Sequence, residues 1–350
     1  MVLNAKRSDN TALLVLFIFN SMTFLSHVTF IRLAKEWPSL MESWNFVEKR
    51  MQYGRIRVNV RRKCKFIAIV FVLVRTVHLI TRQLYYITTI SKSASTLTEG
   101  LKYYFNKVFL YSYIFRIFGY DPYRAVIVLI VSYVSAFGYL FVDIVIILIC
   151  LSFSLRLIQL KSKIKLLIKD KIRNKVLWKS LRTEHFYLCK LCASINDKLG
   201  NLILLSYATN LYLIIIDWFG AARIERSFLK KAHYSMSIII DTSKLIAVSW
   251  YAASVHEENN NVFKCLLSIP SFLYNLEIER FTNQAIFMKC VISGKKLFTI
   301  TRGTIFKIAG ALVTYELVVL QFNTKLIPNY DDEIHYSGTG FNNSFHQSAG

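Results

Sequence analysis

Three groups of polar side chains recur at helical spacing inside stretches that are otherwise apolar. Arg75, His78, Arg82 and Tyr85 follow a three, four, three rhythm that puts them on one helix face. Tyr207, Asn210 and Asp217 share a second face with Trp218 beside them, and Tyr234, Ser237, Asp241 and Lys244 share a third. In a fourth stretch, TYELVVLQF over 314–322, Thr314, Tyr315, Val318, Gln321 and Phe322 cluster on one face while Glu316 points almost the opposite way. Hydroxyls, amides and charges beside aromatic rings are the groups that hold a polyhydroxylated molecule by hydrogen bonding and stacking. The same groups can instead pin helices together through ion pairs, and spacing alone leaves both readings open. No nucleophile motif, phosphate loop or paired-carboxylate pattern stands out, so neither enzymatic activity nor a cofactor is expected. Cys189 and Cys192 form a lone CxxC; zinc would need two further ligands and only His185 is near, so the motif reads as two buried thiols rather than a metal site.

The elements that carry these residues are set by composition. The 350-residue chain is 54% hydrophobic and 15% aromatic, with a mean hydropathy of +0.38, which points to a membrane protein. Six stretches reach the roughly 20 residues that cross a bilayer: about 11–31, 66–90, 125–155, 200–220, 233–255 and 297–322. Residues 11–31 are too long for a signal core and lack a small-residue cleavage site, so they read as a true span. The third span exceeds what a bilayer needs and should tilt or protrude. Strand-type alternation is absent, which argues against a barrel, and with only 12 Gly and 4 Pro the helices should be continuous. The fold class is therefore an all-α polytopic membrane bundle. A ligand-pocket bundle occupies 1–255, a basic amphipathic segment 256–296, a last helix 297–322 and a polar tail 323–350.

The net charge of +23 could suggest nucleic acid, but the basic residues sit in blocks between apolar stretches, where they determine topology. No nucleic-acid partner is expected. Alternate connections, 32–65, 156–199 and 256–296, hold 27 Lys and Arg against 12 in the other loops and tails. The basic set is then cytoplasmic and both termini lie outside. The only glycosylation sequon, at Asn342, falls in the outside tail. Cys64, Cys150, Cys189, Cys192, Cys265 and Cys290 all fall on the inner side as reduced thiols. Arg82, Asp241 and Glu316 each lie six to eight residues below an outer end, about 9–12 Å deep at 1.5 Å per residue, a common depth at which they could meet.

TYELVVLQF resembles the TYhhhhhQF signature, h being hydrophobic, of the last helix of insect gustatory receptors, and glutamate after TY resembles the sweet-receptor branch. LAKEWPSLMESWNFVE over 33–48, GYLFVDIVIILICLSFSLRLIQL over 138–160 and LGNLILLSYATNLYLI over 199–214 are similar to that branch's first cytoplasmic loop, fourth helix and fifth helix. SVHEENN, IERFTNQ and SGKKLFTITRG continue the likeness through 254–303. The resemblance implies a ligand-gated, non-selective cation channel of the plasma membrane of taste neurons, usually a tetramer, with seven spans and an outside C-terminus. It also implies that Gln321 and Phe322 line an outer gate. Tyr315 would couple that gate to a sugar pocket, and the cytoplasmic helix ends would form an intersubunit anchor. Candidate ligand contacts are Arg82, Tyr85, Asn210, Asp217, Trp218, Tyr234, Asp241 and Glu316; Thr314, Tyr315, Val318, Gln321 and Phe322 are candidate pore residues. Two departures stand out. Residues 11–34 align with the family's second span, so the first is expected to be missing, and Val77 precedes His78 where the branch carries an acid. The alternatives are a nonconducting or accessory subunit or fragment, or a receptor for a non-sugar ligand. A receptor coupled to G proteins would need a cytoplasmic C-terminus, and a transporter would be expected to show internal repeats and broken helices.

Overall fold

The computed structural model describes residues 2–51, 60–91, 96–108, 112–222 and 228–326. Asn342 and the rest of the polar tail lie outside the described residues. The main helices are α1 (Val2–Met51), α2 (Val60–Ser91), α3 (Leu97–Tyr103), α4 (Ser112–Phe118), α5 (Pro122–Lys169), α6 (Lys175–Ala222), α7 (Phe228–Leu267), α8 (Leu276–Phe287) and α9 (Arg302–Leu326). The chain is thus an all-α polytopic membrane bundle. Among the described residues, four helical segments are long and apolar enough to cross a membrane: Val60–Thr81, Pro122–Lys169, Lys175–Trp218 and Ala232–Leu267. The two remaining expected spans, 11–31 and 297–322, fall on α1 and largely on α9.

Local chemistry explains the helix ends. Asp121 starts α5 by accepting the Arg124 amide at 3.2 Å, ahead of Pro122 in the first turn, where a missing N–H costs nothing. Asn275 starts α8 by accepting the amides of Glu277 and Ile278 at 3.0 and 3.1 Å, with Glu277 and Glu279 in the positive first turn. Within α1, Thr23 and Ser26 return their hydroxyls to carbonyls four residues back, at 2.9 Å each, so these polar side chains are satisfied without leaving the helix.

Helix length decides the architecture. At 1.5 Å per residue the 48 residues of α5 extend about 72 Å, more than twice a hydrocarbon core of about 30 Å. Helices α6, with 48 residues, and α7, with 40, overshoot similarly. Their surplus packs into a base at the end that holds the basic connections. That base contains fully buried Trp178, Leu160, Ile164 and Phe281. The inter-helix ion pairs among the described residues gather there as well. Arg156 pairs with Glu48, Lys161 with Glu258 at 2.5 Å, Lys163 with Glu184 at 2.9 Å, Arg182 with Glu277 at 3.2 Å, and Arg302 with Glu257. In the opposite direction α2 presents Phe66, Ile69, Leu73, Val77, Ile80, Leu84 and Ile87 outward, an apolar stripe at helical spacing that suits lipid.

Two boundaries differ from the sequence reading. Helix α7 runs to Leu267, so the segment expected to begin at 256 starts inside a helix that the preceding span simply continues. The last helix begins at Arg302 rather than 297, because Phe298–Thr299 (β2) pairs antiparallel with Ser293–Gly294 (β1). The turn of this hairpin puts Lys295 and Lys296 at φ 53° and 63°, left-handed positions that side-chain sterics disfavour. The hairpin backs onto α6 at Gly200, where an added Cβ would stand 3.1 Å from the Lys295 amide. The connection before α5 is itself partly helical. Tyr104, in a π-helical turn, packs with Phe105, Phe115 and Ala125 into a satellite core.

Candidate functional site

The expected polar faces converge on the middle of the bundle, though not with the membership expected. Asp143 is the centre of one half. It sits on α5, four residues and so about one turn after Tyr139, in the most apolar of the described spans. Its carboxylate accepts the Ser206 hydroxyl at 2.5 Å and the Asn210 amide at 3.2 Å, so α6 approaches α5 through two hydrogen bonds to one buried acid. Asn210 Nδ2 also reaches the Ser206 carbonyl at 2.9 Å, while its Oδ1 is buried without a partner.

Lys244 of α7 joins the second half to the first. Its Nζ comes within 2.7 Å of Asp241 Oδ1. The approach lacks hydrogen-bond alignment, so both atoms keep open bonding capacity. The same ammonium stands 4.4 Å from the centre of the Tyr139 ring, which also receives the Arg75 guanidinium at 4.8 Å. Two cations therefore share one electron-rich ring in a desolvated setting, where each contact contributes about 2 kcal/mol. Arg75 Nε is buried and unpaired. Toward the end of α6, Asp217 lies in side-chain contact with Asp241 and accepts the Ser237 hydroxyl at 2.7 Å. A string of contacts thus runs from Ser237 and Asp217 through Asp241 and Lys244 to Tyr139 and Arg75, with Asp143 and its partners Ser206 and Asn210 one turn along α5 from Tyr139. Two buried atoms along it have no hydrogen-bond partner, Arg75 Nε and Asn210 Oδ1, and Lys244 Nζ and Asp241 Oδ1 are held only by their mutual ion pair. The first two are a donor and an acceptor, and buried polar atoms without partners are costly and rare.

The sequence-predicted residues divide accordingly. Asn210, Asp217 and Asp241 are in the string. Tyr234 is half-buried with its ring edge-on to His233 at 5.6 Å, and His233 in turn stacks on buried His78 at 6.2 Å. Trp218 packs against the main core rather than into the string. Arg82 and Tyr85 lie on α2, but their side chains fall outside the described residues. A meeting of Asp241 with Glu316 is not found. Glu316 is half-buried on α9 and makes no hydrogen bond or ion pair with the described residues, while Asp241 is paired with its helix neighbour Lys244 one turn away. Val77 is exposed on the apolar stripe while His78 is buried, so the residue before the histidine does not face the string at all.

Thr314, Val318 and Gln321 lie on the exposed side of the protomer, and Ile308 and Leu312 pack on the core, with Glu316 half-buried. Tyr315 differs from the sequence reading: it is half-buried at the boundary rather than with Gln321. The Phe322 side chain is outside the described residues.

Three members of the string were overlooked in the sequence. Tyr139, Asp143 and Ser206 belong to no polar stripe, yet Asp143 is the lone acid in GYLFVDIVIILIC, and an isolated ionisable residue in a span is the signal that should have marked it. Two cavities lie away from the string. One of about 580 Å³ is lined by His27, Phe30, Val72, Phe137 and Phe141 among others, and is almost wholly apolar. The other, about 640 Å³, lies between α1 and α6 at Glu42, Phe46, Tyr187 and Lys198.

Comparison with known proteins gives a consistent result. The trehalose receptor family model matches residues 5–327. "Gustatory receptor for sugar taste 64a" of Drosophila melanogaster is 26% identical over 315 residues, covering 87% of this chain and 68% of that protein. "Gustatory receptor for sugar taste 61a" of the same organism is 27% identical, covering 92% and 74% respectively. "Gustatory receptor 5a for trehalose", also from Drosophila melanogaster, is 23% identical, covering 87% and 68%. The fold is similar to that of the olfactory receptor OR5 from Machilis hrabei in complex with eugenol. The TM-score is 0.64 at 13% identity, over 87% of this chain and 79% of that one. Without eugenol the same receptor gives 0.63 at 14% identity, over 90% and 81%.

Proposed function

Because the chain belongs to the trehalose receptor family, we propose that it is a gustatory receptor for sugars that acts as a ligand-gated, non-selective cation channel. It sits in the plasma membrane of taste neurons with its C-terminus outside, and assembles as a tetramer with copies of itself or with related subunits. The observation that carries the ligand assignment is the string of buried polar atoms around Tyr139. Arg75 Nε offers a donor and Asn210 Oδ1 an acceptor, neither with a hydrogen-bond partner, and between them Lys244 Nζ and Asp241 Oδ1 are paired with each other but keep further bonding capacity. A polyol supplies hydroxyls that both donate and accept, and an aromatic ring suits the apolar face of a sugar.

The established relatives named for sugar taste and for trehalose support the same class of ligand. Arg82, Tyr85, Tyr234, Trp218 and Glu316 are then flanking contacts, reached as the sugar draws α2 and α9 toward the string. Gating follows from differential affinity: a ligand that bridges α5, α6 and α7 only in the open arrangement shifts the population toward it. Gln321 and Phe322 form the constriction, which closes by excluding water. The base formed by the long helices and α8 is the intersubunit anchor.

The test is whole-cell current in cells that express this chain alone, with and without a panel of sugars. Sugar-evoked, poorly selective cation current establishes the reading. Current that appears only when a related subunit is co-expressed makes the chain an accessory subunit. Surface-expressed protein with currents evoked only by non-sugar compounds refutes the sugar assignment.

A further inference from the structure

The CxxC that the sequence left as two buried thiols acquires partners in the fold. Helix α6 carries His185, Cys189 and Cys192 at spacings of four and three residues, hence on one face. The strand-like segment after α8 brings Cys290 to that face from 101 residues away, with Cys189 Sγ 3.2 Å from Cys290 Sγ. Ligand atoms of His185, Cys189 and Cys290 all lie within 4.8 Å of one another, and all three residues are buried. Cys192 follows one turn on, outside that group, with its thiol directed to the Val291 carbonyl at 3.7 Å, one residue past Cys290.

The histidine is prepared for this role. Gln284 Nε2 donates to the Arg182 carbonyl at 3.1 Å, which fixes the orientation of its amide, and it donates also to His185 Nδ1 at 3.0 Å. Nδ1 is therefore the unprotonated nitrogen. Nε2 then carries the hydrogen and donates to Asn259 Oδ1 at 3.3 Å. An unprotonated ring nitrogen, with the other nitrogen oriented by an amide carbonyl, is the tautomer of a metal-binding histidine, although here its lone pair accepts from Gln284. Its Nδ1 stands 3.8 Å from Cys189 Sγ. With metal–sulfur and metal–nitrogen bonds of about 2.3 and 2.0 Å, tetrahedral ligands sit about 3.5–3.8 Å apart.

We propose that His185, Cys189, Cys192 and Cys290 bind one zinc-class ion, a soft divalent metal held by three thiolates and one imidazole. Binding displaces the Gln284 contact at Nδ1, opens the Cys189–Cys290 separation by about 0.5 Å toward the tetrahedral value, and releases the three thiol protons to solvent. The ion staples the long helix α6 to the 288–292 segment, which leads through the hairpin into α9. The site does not rest on the sugar assignment, since it uses none of the residues of the string.

The experiment is elemental analysis of the full chain purified in detergent without added metal, followed by cobalt titration after chelation. The expected result is close to one zinc per protomer, and a cobalt form with thiolate charge-transfer and tetrahedral d–d absorption. Cys290→Ser and His185→Asn should lose that absorption, while Cys265→Ser, whose thiol lies outside the cluster, keeps it. Asn259→Ala, which removes only the orienting contact, should weaken zinc binding about 10–100-fold. Should the ligand variants fail to fold, cobalt titration of the unaltered chain with and without zinc as competitor reads the same site. Two results overturn the proposal: an unaltered chain with no bound metal and no cobalt absorption, or a peptide map that finds Cys189 joined to Cys290 as a disulfide.

Discussion

Removing the Lys244 ammonium is the sharpest probe of the buried string. The pair with Asp241 is separated by 2.7 Å, which at an effective dielectric of about 20 corresponds to an attraction of about 6 kcal/mol before desolvation. Burial of both side chains takes back much of that, so the net value of the pair is small. The cost of breaking it is not. Lys244→Met leaves Asp241 as an uncompensated buried charge beside Asp217 and removes one cation from Tyr139, and about 3–5 kcal/mol of stability should be lost. Asp241→Asn should cost a similar amount by stranding Lys244. The double variant should lose far less than the sum, because two neutral groups of similar volume replace the pair. A coupling of at least about 2 kcal/mol is expected. Asp143 limits the recovery, since it keeps its bonds from Ser206 and Asn210 but loses the nearby ammonium. Thermal unfolding in detergent, followed by the fraction surviving size exclusion, reads the cycle directly. With about 2 °C per kcal/mol for a chain of this size, each single variant should fall by about 6–10 °C. Additive losses in the double variant would refute the pairing, and single variants as stable as the parent would refute the burial argument itself.

The remaining expectations concern other parts of the fold. An added Cβ at Gly138 would meet His27 Nε2 at 2.7 Å, so Gly138→Ala should lose about 1–3 kcal/mol in the same unfolding assay and recover when combined with His27→Ala; equal loss in the double variant would show that the clash is not the cause. Lys296→Gly relieves a left-handed backbone position, and about 1 kcal/mol of added stability should appear as a higher unfolding temperature; a decrease would mean that the lysine side chain matters more than its backbone. If Gln321 and Phe322 form the gate, Phe322→Ala should raise ligand-independent current by removing the apolar closure, whereas Glu316→Gln should spare permeation and weaken sugar gating. Single-channel recording that finds altered selectivity in Glu316→Gln and unchanged basal current in Phe322→Ala would reverse the two faces.

The helical membrane architecture was legible because apolar length and helical periodicity are local properties. Arg75, His78, Asn210, Ser237, Asp241 and Lys244 were assigned to inward faces from spacing alone, and each is buried. What spacing does not carry is the angle at which one helix meets the next. Depth along the helix suggested that Asp241 could meet Glu316, but its ion-pair partner is a lysine one turn away on its own helix. Tyr139 and Asp143 escaped notice because α5 is apolar on nearly every face, so no stripe marked the side that meets α6.

The same limit governs the thiol cluster, where the distance in sequence is greatest. A CxxC and a histidine one turn away lie on α6 in plain sight, yet they remain two thiols and a ring until Cys290 arrives beside them. Cys290 arrives only because α8 is held to α6, with Arg182 bonded to Glu277 and Gln284 bonded to the Arg182 carbonyl. Asn196 then fixes the segment that follows, donating to the Val291 carbonyl at 2.7 Å and accepting the Ser293 amide at 3.0 Å. The contacts that position the fourth ligand are therefore the same ones that position the hairpin and the start of α9. A change in the cluster's state, by loss of metal or of one thiol, acts at the root of the helix assigned to the gate, while the ligand string acts on α5, α6 and α7 nearer the middle of the bundle. The two inputs share α6 as their common element. Gating strength and metal occupancy should accordingly be coupled through α6 even though no residue belongs to both sites.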